Sequence, residues 1–474
     1  MSQLKLAVIA DLHYYSRTLG DTGGAYERRS STDQKCLAES GAITEAIFAE
    51  IAASDCDAVL IAGDLSNDGE KVSHAEVREK IANLAKSKPV YVVYATHDWC
   101  NSDDAARYEG EEVIHEGVPT MTPPELREYY WDYGPKDALS EHVVEIGASS
   151  YCVKVKEGFR ILGINDDKNG KGRAGYTDEH FAWILDQIRE AKEAGDTVIA
   201  MQHHLIMPGI SMLVNGGQMI ADAGERADAM ADAGLEYIFV GHSHMQRISS
   251  RTSENGNKLW QINLGSSSGY PAPWTMFTVD DTRAFVDVNY LKEFTFDGLT
   301  LTDEYIKDHT LGVIKNIIDN ADKGEAALAE QLRAYGLKWE KVGVPYSLVR
   351  IFAQHVKHDS VKQIAGYINK LTFGKGIDKE AADHLDNVKL ADLVYTLFLN
   401  VFDGSVNKFA PDTAVYRVVT DAASLPRRFT KLFPIRPLKK GKPATLFRRI
   451  EKTAKEVLWP SGPDNQHAVL DRRK

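Results

Sequence analysis

Five short apolar runs punctuate the first 240 residues: LAVIA (6–10), AVLIA (58–62), VYVVYA (90–95), TVIAM (197–201) and YIFV (237–240). None contains a charge, the pattern of a strand buried on both faces in a largely parallel sheet. Between them lie SGAITEAIFAEIAAS (40–54), EVREKIANLAKS (76–87), HFAWILDQIREAKEAG (180–195) and DAMADAG (228–234), whose apolar residues recur three or four apart and predict helices. Strands alternating with helices predict an α/β domain reaching to about residue 295. The segments SSYCVKVKEGFRILGIND (149–166), KLWQINLG (258–265) and WTMFTVDDTRAFVDVNYL (274–291) instead predict strands joined by tight turns, hairpins that extend or cap the sheets.

From about residue 302 the period becomes helical. TDEYIKDHTLGVIKNIIDNADK, EAALAEQLRAYGL, YSLVRIFAQHVKHDSVKQIAGYINKL and KEAADHLDNVKLADLVYTLFLNVF all follow it. This predicts a helical domain over 301–424, packed on a first domain over 1–300. After Asp421, Pro426, Pro434, Pro437 and Pro443 interrupt any long helix until TLFRRIEKTAKEVLW (445–459). The final 15 residues are expected to be flexible, ending a tail over 425–474.

Charge divides the chain at the same place. Residues 425–474 carry 14 Lys or Arg against 4 Asp or Glu; the total of -12 therefore leaves -22 on residues 1–424. So acidic a body disfavours nucleic acid as a partner. The basic tail suits an anionic membrane surface, nucleic acid or an acidic partner, but packing on its own acidic protein is the preferred expectation. No apolar stretch approaches the roughly 18 residues that cross a bilayer, and the N-terminus runs directly into a strand, so a cytoplasmic location is expected. The four cysteines form no C-x-x-C pair and argue against a disulfide framework; they read as buried small apolar residues.

The chemistry lies just past the apolar runs. LAVIA is followed by Asp11 and His13, AVLIA by Asp64, VYVVYA by His97 and Asp98, TVIAM by His203 and His204, and YIFV by His242 and His244. Parallel strands bring their carboxyl ends to one edge, where α/β sheets bind ligands. Six of the 15 histidines share this position, which chance clustering does not explain. Imidazole and carboxylate together suit Mn, Fe, Zn or Ni better than Ca or Mg. The set exceeds one tetrahedral ion and suits two, which can hold a hydroxide and clamp the oxygens of an in-line displacement at phosphorus.

In order and spacing, Asp11-Leu12-His13, Gly63-Asp64, His97-Asp98, His203 and Gly241-His242-Ser243-His244 resemble the calcineurin-like metallophosphoesterase family. GDLSNDGEKVSH (63–74), WDYGPKDALSEH (131–142) and GHSHMQ (241–246) further resemble the bacterial branch related to class III cyclic nucleotide phosphodiesterases. The resemblance implies a four-layer αββα sandwich with a C-terminal helical domain, and two divalent transition-metal ions (Mn, Fe, Zn or Ni) as cofactors. Asp11, His13 and His244 would bind the first metal, Asp64 would bridge, and His203 and His242 would hold the second. His97 would face the substrate with Asp98 orienting it, and His204 would stand beside the ligands. The implied activity is hydrolysis of a small phosphodiester, possibly a cyclic nucleotide in that branch, by a metal-bridging hydroxide. A phosphomonoesterase and a metal- or phospho-ligand-binding scaffold without turnover are the alternatives.

One letter departs from the family pattern. Thr96 stands where the family has an asparagine whose side-chain oxygen reaches the second metal. A threonine hydroxyl, one bond nearer the backbone, stops roughly 1 Å short at ligand distances of about 2.0–2.2 Å, so weaker binding of the second ion is expected. Tyr14, Tyr15, Trp99, Arg28 and Arg29 are candidate pocket residues, and the long segment 101–135 is a candidate lid or pocket wall.

Overall fold

The computed structural model describes residues 3–168, 170, 172–334, 339, 346–432 and 442–472. Two sheets stack face to face. The six strands of the first lie in the order His467–Asp471, Arg283–Tyr290, Pro273–Val279, Leu4–Ile9, Ala58–Ala62, Val90–Val93. The seven of the second lie in the order Arg247–Thr252, Lys258–Asn263, Tyr237–Val240, Thr197–Met201, Phe159–Gly163, Ser149–Lys156, Ser140–Val143. Leu4–Ile9, Ala58–Ala62 and Val90–Val93 run parallel, as do the strand from Lys258 and those beginning at Tyr237, Thr197 and Phe159.

Alternation along each strand decides what faces what. Leu4, Leu6 and Val8 pack between the sheets with Ile161, Ile199, Phe239 and Phe277. Ala7 and Ile9 point the other way, under helices Ser40–Ala53 and Lys71–Leu84, which contribute Ile43, Ile47, Val77 and Ile81. Helices Asp178–Glu193 and Ala223–Ala233 cover the outer face of the second sheet through Ile184, Ile188, Ala227 and Met230. The result is an α/β/β/α sandwich followed by a helical region.

That region holds helices from Asp303–Lys323 through Lys442–Leu458. The segment from Tyr346 to Leu371 is two helices: Ser360 caps the second through Gln363, closing a reciprocal capping box that breaks the run. Buried Arg247 ties the region to the second sheet, donating to Ser405 Oγ (2.9 Å) and Asn400 O (2.7 Å). Among the described residues no helix is long and apolar enough to cross a membrane.

The chain end corrects the expectation of a flexible tail. His467–Asp471 pairs antiparallel with Arg283–Tyr290 as an edge strand, with Ala468 and Leu470 facing the core between the sheets. Pro426 lies inside helix Ala414–Leu432, where losing one backbone donor does not end the helix. Pro434 and Pro437 fall outside the described residues. Of the tail's cations, Arg427 meets Glu451, Arg428 meets Asp421 and Arg472 meets Glu236, so these pack on acids of the same chain.

Segment 101–135 is also ordered. It forms the hairpin Arg107–Glu109/Glu112–Ile114 and helix Pro123–Tyr129, which starts in a Thr122/Glu125 capping box. Its backbone bonds to the chain just after Asp64, through Met121 N to Gly69 O (3.0 Å) and Lys71 N to Pro119 O (2.8 Å). It is a wall beside that turn.

Candidate metal centre

The turns after the strands share an uncommon backbone. Asp11, His13, Asp64, His242 and His244 all have positive φ, between 41° and 65°. Side chains other than glycine pay roughly 1–3 kcal/mol for such a conformation, and it persists where the surroundings over-determine it. Here they do. Asp11 N donates to Gly63 O (3.1 Å) and His13 N to Asp64 O (2.9 Å), joining two turns of the first sheet. His242 N donates to both Asp11 carboxylate oxygens (3.0 and 3.1 Å), and His203 Nδ1 lies 3.0 Å from Ala62 O, joining one sheet to the other. Two glycines allow the approach: a Cβ on Gly63 would lie 2.5 Å from His203 Nδ1, and one on Gly241 2.6 Å from Asp11 Oδ2.

Six predicted ligands converge in two groups, Asp11/His13/His244 and Asp64/His203/His242, each with its donor atoms within 4.8 Å of one another. The edges are short. His13 Nε2 lies 3.0 Å from His244 Nε2, His244 Nε2 3.4 Å from Asp11 Oδ1, and His203 Nε2 2.9 Å from Asp64 Oδ2. His13 Nε2 is 3.8 Å from both Asp11 Oδ1 and Asp64 Oδ2, so Asp64 adjoins both groups. Donors about 2.1 Å from one ion lie about 3.0–3.4 Å from each other, close to the observed edges.

Protonation agrees with ligation at two of the rings, while His203, against its burial, is held well above the ordinary imidazole range by Asp64 and must release that proton to ligate. Burial, with the charges of Lys35 and His97, holds His13 well below the ordinary imidazole range, and burial with His204 and His203 does the same for His242. Both rings are neutral and keep a lone pair to donate. Asp64, against its burial, is held well below the usual carboxylate range by His203 and His97. Such a donor set suits a divalent transition metal.

His97 joins this cluster, its ring centroid 4.8 Å from that of His13 and its backbone N–H 3.2 Å from Asp64 Oδ1. Its orienting partner differs from the expected one. His97 Nδ1 is 2.5 Å from Asn67 O and 3.1 Å from Asp68 Oδ1. Asp98, completely buried, instead accepts from Ala95 N (2.8 Å), Ser66 N (2.9 Å) and Ser66 Oγ (3.2 Å), staples that shape the turn itself. The physical reason is the tight turn closed by Asp98 N to Ala95 O (2.9 Å), which aims adjacent side chains apart. Burial lowers the affinity of His97 for a proton, but Asp64 and Asp68 outweigh it and push the ring up to about 9. Thr96 is half-buried beside it, and its hydroxyl makes no hydrogen bond among the described residues.

His204 lies beside the candidate ligand His242, ring centroids 4.2 Å apart, with its Nδ1 2.9 Å from Asp166 Oδ1. The candidate pocket residues divide. Tyr14 and Tyr15 turn into the core, bonding Glu76 (3.0 Å) and Gly20 O (2.5 Å), and Arg28 pairs with Glu111 at the surface. Trp99 donates to Asp167 (3.0 Å). Three contributors were missed: Asp68, Gln34 and Lys35. The Gln34 carboxamide sits against His244 Nδ1; with its oxygen turned to the ring it accepts that N–H and leaves Nε2 free to ligate. Lys35 is 5% exposed, with its ammonium 3.4 Å from Asp33, which also pairs with Arg29. No apolar run precedes DQKC, so nothing in the sequence marked these two.

The family described as calcineurin-like phosphoesterase matches residues 4–246. No curated protein matches the chain. Solved structures similar to it include a dimetal phosphatase from Danio rerio, 12% identical, covering 63% of this chain and 98% of that one, with a TM-score of 0.43. Others are a purple acid phosphatase from yellow lupin seeds (12%, 64% and 53%, 0.41) and a 5′-nucleotidase precursor from Thermus thermophilus (13%, 67% and 59%, 0.35).

Proposed function

This chain belongs to the calcineurin-like phosphoesterase family and is a metal-binding hydrolase of phosphate esters, and from that premise we propose that its substrate is a small phosphodiester such as a cyclic nucleotide. Asp11, His13 and His244 would hold one divalent ion and His203 and His242 a second, with Asp64 shared and Mn, Fe, Zn or Ni matching the donors. Ions bound there supply an activated water nucleophile and neutralise charge at phosphorus.

The observation that carries the reading is the placement of His97. Asn67 O and Asp68 occupy Nδ1, so Nε2 is the nitrogen left to face a substrate, and the ring is held in its protonated form. An imidazolium there can give its proton to a leaving alkoxide, worth roughly 10²–10⁴ in rate. Charge favours a diester. Lys35 and Arg29 both pair with Asp33 and both pull down the Asp68 carboxyl, so two acids balance these two cations, which suits a monoanion better than the dianion of a monoester. Thr96 favours a second reading, a phospho-ligand-binding scaffold whose second ion is held too weakly for turnover.

Comparing kcat/KM for a bis-aryl phosphate and an aryl monophosphate, with Mn added, tests the proposal. Faster turnover of the diester is expected. Preference for the monoester removes the diester assignment, and turnover of neither with Mn, Fe, Zn or Ni favours the scaffold.

A further inference from the structure

Two helices of the C-terminal helical region present an exposed apolar strip. On helix Tyr346–His358, Leu348, Ile351 and Phe352 recur three or four apart and are 57, 49 and 55% exposed. On helix Val361–Leu371, Tyr367 and Leu371 follow the same spacing, and Phe373 just beyond is 87% exposed. The two rows adjoin: His355, one turn past Ile351 and Phe352, has its ring centroid 5.5 Å from that of Tyr367. The opposite faces, with Ala353 and Val356 on one helix and Val361 and Ala365 on the other, anchor the pair to buried clusters. The exposed side chains are therefore not needed to hold the helices in place. Phe373 also has φ +52°, an uncommon conformation for a bulky residue, which sets it at the tip of the turn before Gly374.

The charge around the strip is one-sided. Residues 346–375 contain Arg350, Lys357, Lys362, Lys370 and Lys375 against a single acid, Asp359. Arg350 and Lys357 are engaged by Asp322, and Lys362 by Asp383. Lys370 and Lys375, on either side of Leu371 and Phe373, are exposed with no ion pair among the described residues.

We propose that this face docks on an anionic lipid bilayer, with Leu371 and Phe373 entering the boundary between headgroups and acyl chains. Lys370 and Lys375 are placed to reach lipid phosphates while their stems lie along the apolar strip. An apolar face bordered by lysines on an otherwise acidic protein is the composition of an interfacial anchor. A projecting turn tip flanked by unpaired cations suits a fluid anionic surface better than a shaped protein groove.

Flotation of the full-length protein with phosphatidylcholine vesicles, with and without phosphatidylglycerol, tests this. Binding is expected only with phosphatidylglycerol and should weaken as salt rises. Leu371→Ser with Phe373→Ser, and separately Lys370→Gln with Lys375→Gln, should each lower the partition by about tenfold or more, with hydrolysis of a soluble ester unchanged. The lysine pair keeps the test decisive should the serine pair fail to fold. Absence of wild-type flotation, or equal flotation of a folded variant, overturns the proposal. So does a concentration-dependent dimer, seen by sedimentation, that the serine pair abolishes without any lipid binding, since the occupant is then a second copy.

Discussion

The Nε2 atoms of His13 and His244 face each other 3.0 Å apart, one carried by the turn after Leu4–Ile9 in the first sheet, the other by the turn after Tyr237–Val240 in the second. Two ring nitrogens at that distance either oppose lone pairs or share one proton. A cation between them satisfies both, so the facing sheet edges are held together more firmly when metal is bound.

Metal binding should therefore be visible as stability. Free Mn at a hundred times its dissociation constant is expected to stabilise the fold by about 2.7 kcal/mol, and a chelator should reverse the gain. Denaturant unfolding with and without metal measures this, alongside elemental analysis. His244→Ala should lose one ion per chain and part of the gain. A midpoint indifferent to metal in the wild-type protein would contradict the assignment.

His97→Ala should lower kcat by about 10² or more at unchanged metal content. Asp68→Asn removes a carboxylate that raises the His97 pKa, so the protonated ring is lost at lower pH. The alkaline decline of kcat should accordingly begin earlier in that variant. Divalent ions on Asp64 cancel part of its pull on the ring, so the metal-loaded enzyme should lose its acid below the value of about 9 that the ring has without them. Asp98→Asn should chiefly lower the unfolding midpoint, because its carboxylate staples Ala95 and Ser66. A rate loss for Asp98→Asn equal to that for Asp68→Asn would reverse the two roles.

Thr96→Asn should tighten the second ion by roughly tenfold, since the longer side chain can reach it with a carbonyl oxygen. Calorimetric titration of metal-free protein resolves the two binding steps. Unchanged affinity would show that Thr96 does not border the second site.

His180 supplies a pH dependence away from the predicted ligands. It is 1% exposed, its Nε2 is 2.9 Å from Ser150 Oγ, and burial together with His142 lowers its pKa to about 3. The unfolded chain, with an ordinary value near 6.5, takes up this proton first. The stabilising contribution is thus complete above about pH 6.5 and is lost as pH falls toward 3, about 2 kcal/mol between pH 7 and 5. Urea unfolding of metal-free protein should show this slope, and His180→Gln should remove about one proton from it.

The sequence by itself determined whatever depends on local period and order. The uncharged runs ending at Ala10, Ala62, Ala95, Met201 and Val240 marked buried strands, and parallel strands deliver the residues just past their carboxyl ends to one edge, so the convergence of the six candidate ligands was legible. Only the tertiary structure decided which groups meet across long separations. Asp68 rather than Asp98 holds His97, because a tight turn parts chain neighbours while two strand-end turns face each other. Gln34 and Lys35 reach the centre from a segment held under helix Asp303–Lys323 by His309 and Thr310, a contact made nearly 280 residues apart in the chain. His467–Asp471 became an edge strand because Arg283–Tyr290 offered unpaired backbone groups, and five residues are too few for their own alternation to announce it. Side-chain direction depends on backbone angles and on partners distant in sequence, and neither is encoded in the local pattern that made the strands recognisable.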